Sequence, residues 1–348
     1  QKAMCMIKIK SLSFFFILMS CLSSALGQED EIKICELAPN KIAVFGKFYG
    51  QLIFNNGDTL GEYVLTDESR PSHFLAVCDT QGNFLWTNHI KGSTSDWGGL
   101  AYGLDITSDE HQNIYICSSF EDSIRFNDTT IFYGDQASTA FFAKFDSLGR
   151  FKWWIPSTEA AGTISEAITM DIDASGNIIA AGSYWYGDVS FGSGLLSHNS
   201  YNYSVFITSF DTLGNSNLSK QMDGGGSGNG THHNVYDLQV NDAGDFYVCG
   251  YFGGSFSGAL NYDDLSLWHS ESTADYRGFI LKGDTLGNGM WLSAIEGNNS
   301  TVIATDVTLT NTDQMYISGT FDNDLTFGGL PGIFASQKDH FILSMDTT

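Results

Sequence analysis

A stretch of the chain from Phe141 to Trp153, Phe-Phe-Ala-Lys-Phe-Asp-Ser-Leu-Gly-Arg-Phe-Lys-Trp, comes back four more times. The copies run from Phe74 to Trp86, from Phe206 to Leu218, from Phe279 to Trp291 and, cut short, from Phe341 to Asp346. Their turn aspartates, Asp79, Asp146, Asp211, Asp284 and Asp346, are 67, 65, 73 and 62 residues apart, and a Trp follows three of them at a distance of seven residues. Repetition at this interval implies copies of one supersecondary unit that bury their apolar faces against each other.

A second segment aligns without gaps in all five copies: Lys41 to Phe48, Asn113 to Phe120, Asn177 to Tyr184, Asp245 to Phe252 and Gln314 to Phe321. Each has an apolar run, then Gly46, Ser118, Gly182, Gly250 or Gly319, then an aromatic residue two positions on. A glycine inside a strand marks a bulge or a close backbone approach. A shorter apolar strand and a polar turn precede it, as in Ala167 to Gly176 and Val235 to Gly244. Each unit therefore reads as four strands, A to D, with tight turns from A to B and from C to D. In the second unit the predicted strands are Ala101 to Thr107, Asn113 to Phe120, Ala140 to Phe145 and Arg150 to Ile155.

Several of these strands are nearly continuous apolar runs, which implies that both faces of the sheet are covered. Abundant Gly (38) and scarce Pro (4) suit many short strands joined by tight turns, and the helical signal is weak. A four-stranded antiparallel sheet flanked by copies of itself is a propeller blade. The expected fold is all-β, a β-propeller of about five four-stranded antiparallel blades at 30–98, 99–162, 163–230, 231–300 and 301–348, the last incomplete. Five A–B–C sets with four D strands would leave a bare edge in a ring, so further blades after Thr348 are expected.

The run Phe-x-Ala-Lys-x-Asp-x-x-Gly-x-x-x-Trp, followed by a strand, a turn ending in Gly-Asn and an Ile-Tyr-Ile or Val-x-Gly strand, resembles the bacterial seven-bladed β-propeller repeats called SBBP repeats. The resemblance covers Glu31 to Thr348. It departs from the pattern in a longer B to C segment, which carries Leu52-Ile53-Phe54, Ile124-Arg125-Phe126 or Leu325-Thr326-Phe327, and in the missing last D strand. It implies a secreted or surface protein with no shared catalytic residue set.

The N-terminus reads as an export signal. Met6 to Lys10 is a basic start, Phe14 to Leu22 an apolar run too short to span a bilayer, and Ala25-Leu26-Gly27 a cleavage site that leaves a leader at 1–27. Acylation at Cys21 is the competing reading, which Met19 fits poorly. No later segment is long and apolar enough to cross a membrane, so the mature chain is expected to be secreted or at the cell surface. Of its four cysteines, Cys117 and Cys249 occupy equivalent positions and read as small buried residues. Cys35 and Cys78 lie in one repeat and could pair, with free thiols the preferred reading.

The net charge of −24, from 16 basic and 40 acidic residues, repels nucleic acid and anionic lipid and suits a soluble exported protein. Binding residues gather on long loops held by a rigid scaffold. That singles out the end of the units where the B to C and D to A connections lie, with Trp97, Tyr133, Tyr201, Tyr203, His232, His233, Trp268 and His269 as candidates for a protein or glycan partner. The two histidines follow the Gly224 to Gly230 run and read as exposed loop residues, with no third metal ligand at a recognisable spacing. Asp171, Asp173 and Ser175 match the opening of a calcium loop, but Gly182 stands at its twelfth position, so an Asx-rich turn competes with a calcium site; no other cofactor is indicated. Asp105, Asp237 and Asp306 recur on strand A. As a set they could serve a carbohydrate-active enzyme, but catalysis needs carboxylates in different environments, so hydrogen bonding to neighbouring amides is the expectation. A non-enzymatic binding scaffold is thus preferred, with a purely structural spacer as a further alternative.

Overall fold

The computed structural model describes residues 32–49, 51–60, 71–92, 103–126, 130–134, 138–160, 162–197, 203–225, 231–254, 258–269, 276–297, 300–310, 314–329 and 332–347; the leader at 1–27 lies outside them. Every regular element among them is a β-strand. No helix among the described residues is long and apolar enough to cross a membrane. The chain divides into two compact units, up to Ser157 and from Thr158 onward.

The first unit holds two repeats. Strands A to D are Ile32–Ala38, Lys41–Tyr49, Pro71–Asp79 and Phe84–Gly92, then Leu104–Ser108, Ile114–Phe120, Thr139–Phe145 and Phe151–Pro156. The second unit holds three. They are Ile164–Ile172, Ile178–Trp185, Tyr203–Phe210 and Ser216–Gly225; Thr231–Val240, Phe246–Gly254, Tyr276–Gly283 and Gly289–Ile295; and Val302–Leu309, Gln314–Phe321 and Asp339–Asp346. In every repeat the strands pair antiparallel in the order A, B, C, D, with A, B and C described in the fifth. Strands B and C of the second repeat are buried along their whole length, as their unbroken apolar runs require. Cys35, Cys78, Cys117 and Cys249 are all buried, and none of the four is in a disulfide.

The B to C segments differ from the long irregular loops expected. Each contains a small hairpin: Leu52–Ile53 with Thr59–Leu60, Ser123–Arg125 with Phe132–Tyr133, Val189–Ser190 with Leu195–Leu196, Gly258–Tyr262 with Leu265–His269, and Asp324–Leu325 with Ile333–Phe334. The hairpin then pairs with the end of the preceding repeat. Lys91 and Gly92 pair with Arg125 and Ile124, and Asp223 to Gly225 with Asn261 to Ala259. Thr158 and Glu159 pair with Ser190 and Val189, and Glu296 bridges to Thr326. The backbone groups of an outer strand end are thereby satisfied by the neighbouring repeat, and the inserted Phe126 packs against Phe141 and stacks on Phe151.

Apolar side chains fill the space between consecutive sheets. In the second unit Ile179, Ala181, Val205 and Ile207 of the third sheet meet Val235, Leu238, Val248, Phe279 and Leu281 of the fourth. The other face of the fourth sheet, with Tyr247, Cys249 and Ile280, meets Val302, Ala304, Val307, Met315 and Ile317 of the fifth. Each Val, Leu, Ile, Phe or Met side chain among them taken from water contributes roughly 1.5–3 kcal/mol.

The strand B glycine sits where two constraints meet. In the third, fourth and fifth repeats strand A carries an extra residue opposite it, with the register shifting between Ala167 and Thr169, Val235 and Asp237, and Ala304 and Asp306, whereas Gly46 of the first repeat pairs with Ile32 without a shift. A Cβ on Gly182, Gly250 or Gly319 would come within 2.0 to 2.1 Å of the carbonyl oxygen of Glu166, Asn234 or Ile303 and would strike the ring of Phe206, Phe279 or Phe341. The second repeat shows the converse: Ser118 replaces the glycine, and strand A pairs there without a shift. Gly250→Ala is therefore expected to destabilise by more than about 3 kcal/mol, read from urea unfolding, because backbone must move. Gly194→Ala, with nothing within 4 Å, should change stability by less than about 0.5 kcal/mol.

Candidate functional site

The repeated Asp-x-x-Gly turn is a self-contained hydrogen-bonded cap. Asp79 accepts from the amides of Gln81 and Asn83 and from the Asn83 side chain, and Asp211 and Asp284 repeat the arrangement with Leu213 and Asn215 and with Leu286 and Asn288. The Asn215 side chain leads the interactions that hold the Asp211 carboxyl below its ordinary range. Asp173 uses the same bonds, accepting from the amides of Ser175 and Asn177 and from the Asn177 side chain. Asp171 meanwhile accepts from Ile172 N at 2.8 Å and from Val240 N of the next repeat at 2.9 Å. The carboxylates of the calcium-loop motif are thus turned to amides. Among the described residues no three acidic, histidine or cysteine side chains gather as a metal site.

Other recurrent residues of the motif also make contacts within the fold. Trp86 packs its ring where a Cβ on Gly149 would lie and donates its indole N–H to Ser147 O, so a D strand covers the C to D turn of the following repeat. Lys144 and Lys282 hold their ammonium groups 5.0 and 5.4 Å from the ring centroids of Tyr115 and Tyr247.

Strand A lies against strand A of the next repeat, and its polar side chains lace the two together. Thr169 Oγ1 accepts from Leu238 N at 3.1 Å, and Asp237, at the equivalent position one repeat on, accepts from Val307 N at 2.9 Å. Thr169 also donates to Asp237 at 3.4 Å. Asp105 accepts from its own neighbour Ile106 N, and Asp306 is exposed. Ser118 and His73 form a buried pair 3.1 Å apart in the first unit. The serine proton goes to Gly103 O, so His73 Nε2 donates to the hydroxyl, the reverse of nucleophile activation.

Of the candidate binding residues, Trp97 and Tyr201 lie outside the described residues, and of the His269 side chain nothing is described. Tyr133 and Trp268 are exposed on separate B to C hairpins. His232 and His233 are not loop residues; both belong to strand A of the fourth repeat, which begins at Thr231. His233 is buried at the position a Cβ on Gly224 would need, while burial holds the His232 imidazole below its ordinary pKa and hence neutral at pH 7. The glycine run had suggested a loop, but strand pairing with Phe252 and Gly253 draws these residues into the sheet.

Two of the candidates do come together. Tyr203, at the start of strand C in the third repeat, stands 5.4 Å from His232, centroid to centroid, and stacks on Trp185 at 6.3 Å. The rings continue through Tyr276, 6.4 Å from His232, to Tyr251 at 4.8 Å and Tyr236 at 5.9 Å. Ser183 donates to Asn234 Oδ1 at 3.0 Å, joining the third and fourth sheets. Glu166 pairs with Ser183 across strands A and B, and burial raises its carboxyl from 4.5 to about 7. Tyr251 is pushed up to about 12, chiefly by burial, with Tyr236 and Tyr276 adding to it. The run Trp185-Tyr186 at the end of the third B strand and Tyr236 at the bulge were legible as aromatics, but only strand pairing gathers them.

No known protein-family model matches the chain, and a search of curated proteins finds no match either.

Asp237→Ala should destabilise by about 1.5–3 kcal/mol in urea unfolding through loss of a charged hydrogen bond to Val307, while exposed Asp306→Ala should stay within about 0.5 kcal/mol. Glu166 makes stability fall with pH. Between about 4.5, where the unfolded carboxyl ionises, and about 7, where the folded one does, the folded chain holds more protons, so rising pH favours unfolding. Glu166→Gln should therefore raise the urea midpoint above wild type at pH 8 and change it little at pH 5.

Proposed function

We propose that this chain is an exported, non-enzymatic β-propeller scaffold of the kind the SBBP repeats exemplify, which recognises a protein or glycan partner at the cell surface through the sheet ends carrying the B to C and D to A connections. The propeller reading draws support from four-stranded sheets in A to D order whose first strands bond to one another and whose cores lie between consecutive sheets. The observation that carries the binding reading is the partly exposed row of rings from Trp185 to Tyr236 at that end. Aromatic side chains concentrated on a rigid framework are the usual anchors of recognition. The enzymatic alternative loses ground because Asp237 is already committed to the backbone of the next repeat.

Binding of the purified chain to glycan and protein arrays prepared from the surface of the producing cell tests this function. Tyr203→Ala and Tyr276→Ala, each with unchanged thermal unfolding, are expected to weaken capture about tenfold or more, the scale of a lost aromatic anchor. Capture untouched by both, or hydrolysis of a captured glycan, would end the reading. N-terminal sequencing of the exported protein checks its location, with Gln28 expected as the first residue.

A further inference from the structure

We propose that Asn56, which Gly57 follows at the tip of the Leu52–Ile53 and Thr59–Leu60 hairpin of the first repeat, is a self-modification site, where the chain converts an asparagine side chain through a cyclic imide into aspartate and isoaspartate. The inference is independent of the binding reading above.

The reaction needs a backbone nitrogen without steric cover, a polarised side-chain carbonyl, and a turn that keeps the two together. Gly57 supplies the nitrogen: it is exposed, its φ is +91°, and a Cβ there would meet nothing within 4 Å. Asn56, also exposed, supplies the carbonyl. Its Oδ1 accepts from Asp58 N at 3.0 Å, and a donor already aimed at that oxygen stabilises the negative charge that attack on Cγ places there. The ring of atoms closed by the same bond contains both Asn56 Cγ and Gly57 N, which keeps the reacting pair together. The leaving nitrogen, Asn56 Nδ2, donates to Asp58 Oδ2 at 2.7 Å, and Thr87 Oγ1 holds that carboxylate oxygen at 2.8 Å. Gly57 N donates to Phe54 O at 3.0 Å, a bond at an exposed tip where water can take its place during attack.

Hydroxide takes the Gly57 amide proton, the N–Cγ bond forms, and the Cγ–Nδ2 bond breaks as the nitrogen takes a proton from water and leaves as ammonia. Water then opens the imide, at Cγ to give aspartate or at the main-chain carbonyl to give isoaspartate. Either product undoes the tip. Aspartate replaces the donor to Asp58 with a second carboxylate oxygen, and isoaspartate adds a carbon to the backbone inside the turn that Gly57 N and Phe54 O close. The adjoining Asn55 ties the hairpin to the C to D turn through Gly82 O at 2.9 Å and Phe84 N at 3.1 Å, so the change loosens the hairpin from its own sheet.

The other described Asn-Gly pair shows what prevents the reaction. Asn288 turns its side chain back to Asp284 Oδ2 at 3.0 Å, Gly289 N donates to Asp263 Oδ2 at 2.9 Å, and a Cβ on Gly289 would lie 2.8 Å from Leu265 and 2.9 Å from Tyr262. Gly289 also opens a D strand, paired with Gly283. The third pair, at 229–230, lies outside the described residues.

The test is peptide mapping by mass spectrometry of the whole chain held at pH 8 and 37 °C, with digestion at acid pH to halt the reaction and isoaspartyl methyltransferase labelling to count isoaspartate. Asn56 is expected to convert at least tenfold faster than Asn288 in the folded chain, and the two at similar rates in guanidinium chloride. A folded chain in which Asn56 stays intact, or in which Asn288 keeps pace with it, overturns the proposal. Asn56→Gln, whose longer side chain disfavours the five-membered ring, should abolish isoaspartate within 52–60; isoaspartate persisting there would place the reaction at another residue and overturns the site. Chymotrypsin cleavage within 52–60 should be at least tenfold faster in Asn56→Asp than in freshly purified wild type, and equal rates would overturn the loosening of the hairpin.

Discussion

The second unit depends on one recurring bond: a side-chain oxygen on the first strand of a repeat accepts from an amide on the first strand of the next. Thr169 to Leu238, Asp171 to Val240 and Asp237 to Val307 are three instances in the second unit. A buried amide without a partner costs roughly 1–3 kcal/mol, so the bond decides how closely two sheets approach along their inner strands. The bulge in strand A is part of the same device, since the extra residue at 168 or 236 precedes Thr169 or Asp237, whose side chain bonds to the neighbouring repeat. The glycine of strand B is then the only residue that fits opposite, which ties an alignment pattern to a contact 2.0 Å from a carbonyl oxygen.

The outer edge solves the same problem by different means. A D strand would end the sheet with unpaired backbone groups, and the hairpin inserted between B and C of the following repeat covers them. Segments that look like additions to the repeat are therefore clasps between repeats. This leaves the candidate binding surface at the ends of the sheets, where rings from strands A, B and C of two repeats meet. A site assembled that way inherits the rigidity of the sheets, and its geometry changes only if the sheets move.

Much of the fold was legible in the chain. The strands of the second repeat depart by a few residues at most from those expected, because turn residues and apolar runs act locally. The structural role of Asp237 was also legible, since a carboxylate repeated in equivalent places suits a repeated amide better than a reaction. The histidines were not: a glycine run preceding His232 and His233 resembles a loop, and only pairing with a distant strand draws them into a sheet. Around Asp171 spacing alone cannot tell an oxygen aimed at a metal from one aimed at an amide, and the two carboxylates accept from amides in the structure.

The sequence by itself determined the repeat, the all-β class, the turns and the identity of the strand B glycine, since each follows from neighbours a few residues apart. Tertiary structure alone decided that B to C insertions clasp the previous repeat and that Trp185, Tyr203, His232, Tyr276, Tyr251 and Tyr236 form one row. Those rings span 185 to 276, and only the register of paired strands and the stacking of one sheet on the next bring each within 4.8 to 6.4 Å of the next. Periodicity records which face a residue takes, whereas the partner it meets across that face is set by long-range packing.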